Sequence, residues 1–235
     1  MPQIKVWVNI SKNQFISAVK KTEILKLSKE KQLKKILRQA TEVIKKGGVV
    51  AFPTETVYAL GADAMNKDAV KKIFRFKKRE ANKPIAIFLL KPEELSKFVK
   101  VITSPAKRLI KYFWPGPLTL IFKSKPGKLI YLTGKEEKIG IRVSSSKIVQ
   151  SLLRQTRTPL TATSANLSGL KGSLSAFEVL KDFGGKIELI LDGGPAEEVA
   201  PSSVVDVCGD VPILIREGRI SFEEIKKVAP ESKRK

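Results

Sequence analysis

Short apolar runs alternate with stretches of helical periodicity from Ser28 onward, and that order restricts the chain to a sheet flanked by helices. Residues 30–46 place Leu33, Ile36, Leu37, Ala40, Val43 and Ile44 at helical spacing and stop at Gly47 and Gly48. VVAF follows as a buried strand that breaks at Pro53. Further helical patterns lie near 68–77, 92–100, 104–113, 146–155 and 175–182. Strand-like runs occur at PIAIFLL, LTLIF, GIRV, PLTA, IELIL, SSVVDV and PILI. No internal repeat or low-complexity linker interrupts them. The 235 residues therefore read as one α/β domain spanning 22–228, preceded by an extension at 1–21 and followed by a basic tail at 229–235 that is expected to fray.

The strands end alike. VVAF runs into PTET, GIRV into SSS, PLTA into TSANLSG and IELIL into DGG, while APSS precedes VVDV. Such clusters commonly satisfy their own backbone in turns. In α/β proteins, however, ligands sit beyond the carboxyl ends of strands. Five hydroxyl- or glycine-rich segments beside separate strands predict a lined cleft on one side of the sheet.

Composition narrows the chemistry. The chain has no histidine and one cysteine, Cys208, which excludes a zinc site, a Ser-His or Cys-His nucleophile and an internal disulfide. No apolar run approaches the roughly 20 residues of a membrane span, and the first residues, MPQIKVWVNISKNQ, lack the apolar core of a signal peptide. A cytosolic, cytoplasmic location is expected. The net charge of +22 fits polyanionic partners such as nucleic acid or nucleotide phosphates. It equally fits the lysine-rich surface of a heat-adapted protein, and the sequence leaves both open.

Two cationic features stand apart from the general lysine background. In KKREANKP, Lys77 and Arg79 are two apart, so an extended segment would point them the same way, with Lys83 following just before a proline. Neither GxxxxGK[ST] nor GxGxxG occurs, so a phosphate site here is neither a P-loop nor a Rossmann fingerprint. Arg142 lies inside the strand GIRV, where a charge is costly unless an anion pairs with it. That anion is either an internal carboxylate or the carboxylate of a ligand held by the guanidinium fork.

FPTETVYALGADA, KKRExxxKPI, WPGPLTLIF, GIRVSSS, PLTATSANLSG, PSSVVDV and LIREGRIS, in this order, resemble the YrdC/TsaC family of threonylcarbamoyl-adenylate synthases over most of the chain. The resemblance implies a twisted mixed α/β sheet flanked by helices, with a basic concave cleft, in a short single-domain form. It implies synthesis of L-threonylcarbamoyladenylate from L-threonine, bicarbonate or carbon dioxide, and ATP carrying Mg2+, with release of pyrophosphate. A threonylcarbamoyl-transferase complex would then modify an adenosine beside the anticodon of tRNA.

By the same resemblance, Lys77, Arg79, Ser164 and Asn166 occupy the family's KxR and SxN signatures as catalytic residues. Lys77, Arg79 and Lys83 would hold the ATP phosphates, Asn166 would contact the nucleotide, and Arg216 would close over it. Thr56, Arg142, Ser164 and Ser202 would bind L-threonine, with Thr54 and Ser144 as weaker candidates. No metal-ligating residue is identified. The chain departs from the pattern at Ala59 (usually Gly), Glu80 (Pro), Ser203 (Thr), the VSS after Arg142 (VP) and Phe88, where many relatives place a His that contacts threonine.

Two other readings compete. A non-catalytic RNA- or tRNA-binding module would use the positive charge in salt-dependent binding, although exposed stacking aromatics are not evident. A carbamoyl-adenylate chemistry like that of hydrogenase-maturation carbamoyltransferases would need zinc-finger regions that one Cys and no His cannot supply.

Overall fold

A computed structural model describes residues 21–27, 30–80, 83–196 and 200–235. Its strands are β1 (Glu23–Lys26), β2 (Val50–Phe52), β3 (Ala59–Gly61), β4 (Ala86–Phe88), β5 (Leu118–Lys123), β6 (Lys138–Arg142), β7 (Leu160–Ser164), β8 (Leu189–Asp192), β9 (Ser203–Asp206), β10 (Ile213–Arg216) and β11 (Lys233–Arg234). Its α-helices are α1 (Glu30–Lys45), α2 (Lys67–Lys77), α3 (Ser104–Phe113), α4 (Ile130–Thr133), α5 (Lys147–Thr156), α6 (Ala176–Phe183) and α7 (Phe222–Val228). The expected helix near 92–100 is a 3-10 segment, Pro92–Lys97. The strands make one mixed sheet in the order β1-β8-β2-β3-β7-β4-β6-β5-β9-β10-β11.

Side chains alternate across a strand, and here the alternation decides where a ligand can sit. Leu118, Leu120 and Phe122 of β5, Ile139 and Ile141 of β6, and Val205 of β9 face one core. The opposite face carries Val50, Phe52, Phe88, Leu160, Leu189 and Leu191, which pack with Ile36, Leu37, Ala40 and Ile44 of α1 and Val149, Leu152 and Leu153 of α5. That second core ends near β4. Beyond it, Thr119 and Ile121 of β5, Gly140 and Arg142 of β6, and Val204 and Asp206 of β9 line an open cleft.

The tail at 229–235 does not fray. Lys233 and Arg234 pair in parallel with β10; the Lys233 N–H donates to Pro212 O at 2.9 Å and the Lys235 N–H to Leu214 O at 3.1 Å. The Arg234 guanidinium lies 4.6 Å from the Phe222 ring centroid. Two residues carry too little periodicity to announce a strand, but the free edge of β10 offers them a ladder. The extension at 1–21 lies, except for Lys21, outside the described residues. Among the described residues, two aromatics are largely exposed, Tyr112 at 72% and Phe177 at 74%.

Candidate active site

The cleft has a volume of about 860 Å³, within the range of roughly 300–1,000 Å³ usual for small-molecule sites. Among the described residues, Arg79, Lys135, Lys138, Arg142, Arg216 and Lys235 line it together with two carboxylate side chains, Glu136 and Asp206. Three of the five strand-end segments converge on it, through Thr54 and Thr56, Thr163 and Ser164, and Pro201 and Ser202. The other two stand behind the wall. Asp192–Gly194 of DGG holds the Tyr58 hydroxyl, which donates to Gly194 O at 2.6 Å and accepts from the Gly193 N–H at 3.1 Å. In SSS, the Ser144 hydroxyl donates to Glu55.

Arg142 is only 5% exposed, and its anion is internal as well as prospective. Its Nη2 pairs with Glu55 Oε1 at 2.8 Å, and its Nε donates to Gly116 O at 3.1 Å in the WPGP turn. Burial would raise the Glu55 pKa, but the Arg142 charge and the Ser144 hydroxyl outweigh it and hold the carboxylate ionised below its usual range. The Arg142 pKa is pulled down by burial and held up by Glu55; a guanidinium stays protonated regardless. With Nε and one Nη2 donor engaged, the free edge is the Nη1/Nη2 end. That edge meets only the Thr56 hydroxyl, at 3.4 and 3.5 Å, distances at which a hydrogen bond is weak. Thr54 donates to Val57 O at 2.7 Å, so at the 2.9 Å contact between the two hydroxyls Thr56 is the donor. The Phe88 ring lies 5.8 Å from the guanidinium carbon and lines the cleft, so at the position where many relatives place a His, Phe88 supplies a cation–π face.

Lys77 and Arg79 do not point the same way. Lys77 is the last residue of α2, and Lys78 takes the left-handed conformation at φ 50° as its C-cap, so the segment is not extended and the two side chains part. Arg79 reaches the cleft, with Nε donating to Lys83 O at 3.0 Å and Nη2 to Pro84 O at 2.8 Å. Lys77 turns inward, 1% exposed, and its Nζ donates to the carbonyls of Ser164 and, at 2.6 Å, Asn166. Lys77 is therefore not placed to hold phosphates. Lys83 is exposed, pairs with Glu80 at 2.9 Å and is absent from the cleft wall.

Burial, then Arg79, lowers the Lys77 pKa to about 7, against a smaller upward pull from Asp182. The unfolded chain keeps this proton to about 10.5, so between those values the unfolded state binds more protons and stability rises with pH; below pH 7 the burial penalty is complete. The melting temperature of the native chain minus that of Lys77→Met should thus increase from pH 7 to pH 9.5 in a thermal scan. A constant difference would contradict it.

Ser164 lines the cleft and its hydroxyl has no hydrogen-bond partner among the described residues. Asn166 is buried and turned away from the cleft, with Nδ2 donating to Leu167 O and Leu170 O at 2.7 Å each. It builds the loop and is absent from the cleft wall. On the far wall, the Ser202 hydroxyl bonds Thr119 at 3.0 Å, while Arg216 Nη2 donates to Ser202 O at 2.8 Å. Burial and then the Arg142 charge depress the Arg216 pKa, and both guanidiniums line the cleft. A Cβ on Gly218 would lie 2.1 Å from Pro201 O. Gly218→Ala must therefore displace the Ser202 segment, and a rise of about tenfold in the substrate concentration needed for half-maximal rate is expected; unchanged kinetics would show that this wall is not used.

Glu55, Thr119, Glu136, Lys138 and Asp206 were not anticipated. The period-2 alternation was available most clearly in KIGIR, where Lys138, Gly140 and Arg142 share one face and Ile139 and Ile141 the other, and less clearly in LTLIFK and SSVVDV, where Ile121 and Val204 share the cleft face with Thr119 and Asp206. Lys138 bridges Glu136 at 2.8 Å and Asp206 at 3.1 Å. Glu55 carried no local signal beyond its place in PTET.

A family model covering Sua5, YciO and YrdC proteins, described as telomere recombination, matches residues 42–218. A curated threonylcarbamoyl-AMP synthase of Pyrococcus abyssi is 41% identical over 195 residues, 83% of this chain and 57% of the relative. A putative threonylcarbamoyl-AMP synthase of Methanocaldococcus jannaschii is 35% identical over 209 residues, 88% of this chain and 98% of the relative. The crystal structure of P. abyssi Sua5 complexed with L-threonine superposes with a TM-score of 0.84 at 38% identity, covering 91% of this chain and 62% of that one. The chain thus spans a little over half the length of the P. abyssi synthase.

Proposed function

The chain belongs to the Sua5/YciO/YrdC family, and on that premise we propose that it makes L-threonylcarbamoyladenylate from L-threonine, bicarbonate or carbon dioxide, and ATP, releasing pyrophosphate. The observation that carries this reading is the convergence of Arg79, Arg142 and Arg216 on one cleft that also holds the Ser164 hydroxyl, which has no hydrogen-bond partner among the described residues. Such an arrangement calls for a ligand with more than one anionic group. The free Nη1/Nη2 edge of Arg142 takes the threonine carboxylate, displacing the weak contact to Thr56, and Ser202 lies on the opposite wall. Arg79 holds the triphosphate and Arg216 covers the nucleotide.

The threonine amine adds to carbon dioxide, forming the C–N bond of a carbamate and losing a proton to solvent. A carbamate oxygen then attacks the α-phosphorus, and the P–O bond to pyrophosphate breaks. No protein nucleophile is needed; the site supplies placement and charge neutralisation. Magnesium would enter with the nucleotide, held by its triphosphate oxygens, and would supply charge neutralisation for the departing pyrophosphate. The product is destined for a transferase complex acting on tRNA in the cytoplasm, and the basic surface is available for RNA contact. Among the described residues no helix is long and apolar enough to cross a membrane.

The test is pyrophosphate release from ATP by the purified chain with bicarbonate and magnesium, comparing L-threonine, L-serine and no amino acid. Threonine-dependent release is expected, with Phe88 tolerated. Release with another amino acid would move the substrate assignment. No release from folded protein would favour the RNA-binding module.

A further inference from the structure

The two signatures KxR and SxN meet in space, but their four side chains do different things. The Lys77 ammonium holds the Ser164 and Asn166 carbonyls, and the Ser168 N–H donates back to Lys77 O at 3.0 Å. The end of α2 and the 164–170 loop are therefore tied in both directions. Inside the loop, the Asn166 amide bonds the carbonyls of Leu167 and Leu170. Its Oδ1 is buried with no hydrogen-bond partner among the described residues. Neither Lys77 nor Asn166 lines the cleft; Arg79 and Ser164 both do. The left-handed turn at Lys78 sends the Arg79 N–H back to Phe74 O at 2.9 Å, so fixing Lys77 fixes the departure of Arg79 as well.

We infer that Lys77 and Asn166 are positioning residues that lock the 164–170 loop to the end of α2, and that Arg79 and Ser164 are the substrate-facing members of the two signatures. The second half rests on the proposed reaction; the lock itself does not. A phosphate ligand must present its charge to the cleft, whereas this lysine presents N–H donors to backbone carbonyls, and a neutral amine still carries the two it needs.

Amide hydrogen exchange of the ligand-free protein tests the lock independently of any activity. Lys77→Met is expected to speed exchange across 164–170 by about tenfold, the equivalent of one hydrogen bond to a charged group. Lys77→Gln, which keeps N–H donors without charge, should speed it less, and Arg79→Met should leave it unchanged. If Lys77→Met fails to fold, Ser168→Pro, which removes only the returning N–H, should loosen the same amides. Unchanged exchange in both Lys77→Gln and Ser168→Pro would overturn the lock. In turnover assays, Lys77→Met and Asn166→Ala should lower kcat with the KM for ATP within about twofold, and Gln should recover part of the loss at position 77. A KM for ATP raised equally in Lys77→Met and Arg79→Met, with Gln no better than Met, would overturn the division of roles. An inactive native chain with the expected exchange pattern would remove the proposed reaction and leave the lock standing.

Discussion

Replacing Arg142 by Met should lower folding stability by about 3–5 kcal/mol, the usual result of removing one partner of a buried ion pair, and abolish threonine-dependent turnover. Glu55 has a side-chain exposure of 17% and would keep its bonds from Ser144 and the Ser145 N–H but lose its counter-charge. Its pKa in the folded variant then rises with burial, so the variant's deficit should shrink as pH falls and Glu55 protonates. Chemical denaturation at pH 5 and pH 8 measures that sign. Adding Glu55→Gln should restore much of the stability without restoring turnover, which separates the structural bond from the ligand bond. Arg142→Lys keeps a charge but cannot serve Gly116 O, Glu55 and a ligand carboxylate together. It should raise the KM for threonine by roughly tenfold or more, since a fork hydrogen-bonded to a charged group is lost, and leave that for ATP nearly unchanged. Equal changes in both would remove the carboxylate from Arg142.

The order of elements was readable because the apolar runs are short and bounded, and the strands at VVAF, LTLIF, GIRV, IELIL and PILI stand where those runs lie. The cleft was readable only in outline. Thr56, Ser164 and Ser202 reach it because they end or precede strands on its side of the sheet, whereas Ser144 and Asp192 have the same local signature and face elsewhere. Local chemistry does not encode which loop folds inward. The aim of Lys77 was hidden for a sharper reason: it depends on one residue, Lys78, adopting a left-handed backbone, a conformation that lysine does not advertise. The alternatives left open for Arg142 both bear on the structure, since Glu55, 87 positions away in the chain, takes one edge of the guanidinium and leaves the other. Phe88 was legible as a departure but not as a cation–π partner, because that needs the register of β4 on β6, which sets Phe88 opposite Arg142.

The second large effect is expected at Arg79. Its Nε and Nη2 are held by the carbonyls of Lys83 and Pro84, so the guanidinium is oriented before a nucleotide arrives and Nη1 is left without a partner among the described residues. A preoriented cation in a partly desolvated cleft contributes far more than a mobile surface lysine. Arg79→Met should therefore reduce kcat/KM for ATP by roughly 10²-fold, the scale for losing one charge-stabilising donor in an active site, and flatten the salt dependence of ATP binding, while the melting temperature stays within a few degrees. Lys83→Ala is the comparison. Its side chain is 53% exposed and paired with Glu80, an arrangement contributing about 0–1 kcal/mol, so its kinetics should be close to those of the native chain. If Lys83→Ala matched the loss at Arg79, the segment would have to rearrange on nucleotide binding and Lys83 would return to the phosphate site. If neither substitution changed ATP kinetics, the triphosphate would lie elsewhere in the cleft, and Arg216, oriented by Ser202 O, would be the next cation to replace.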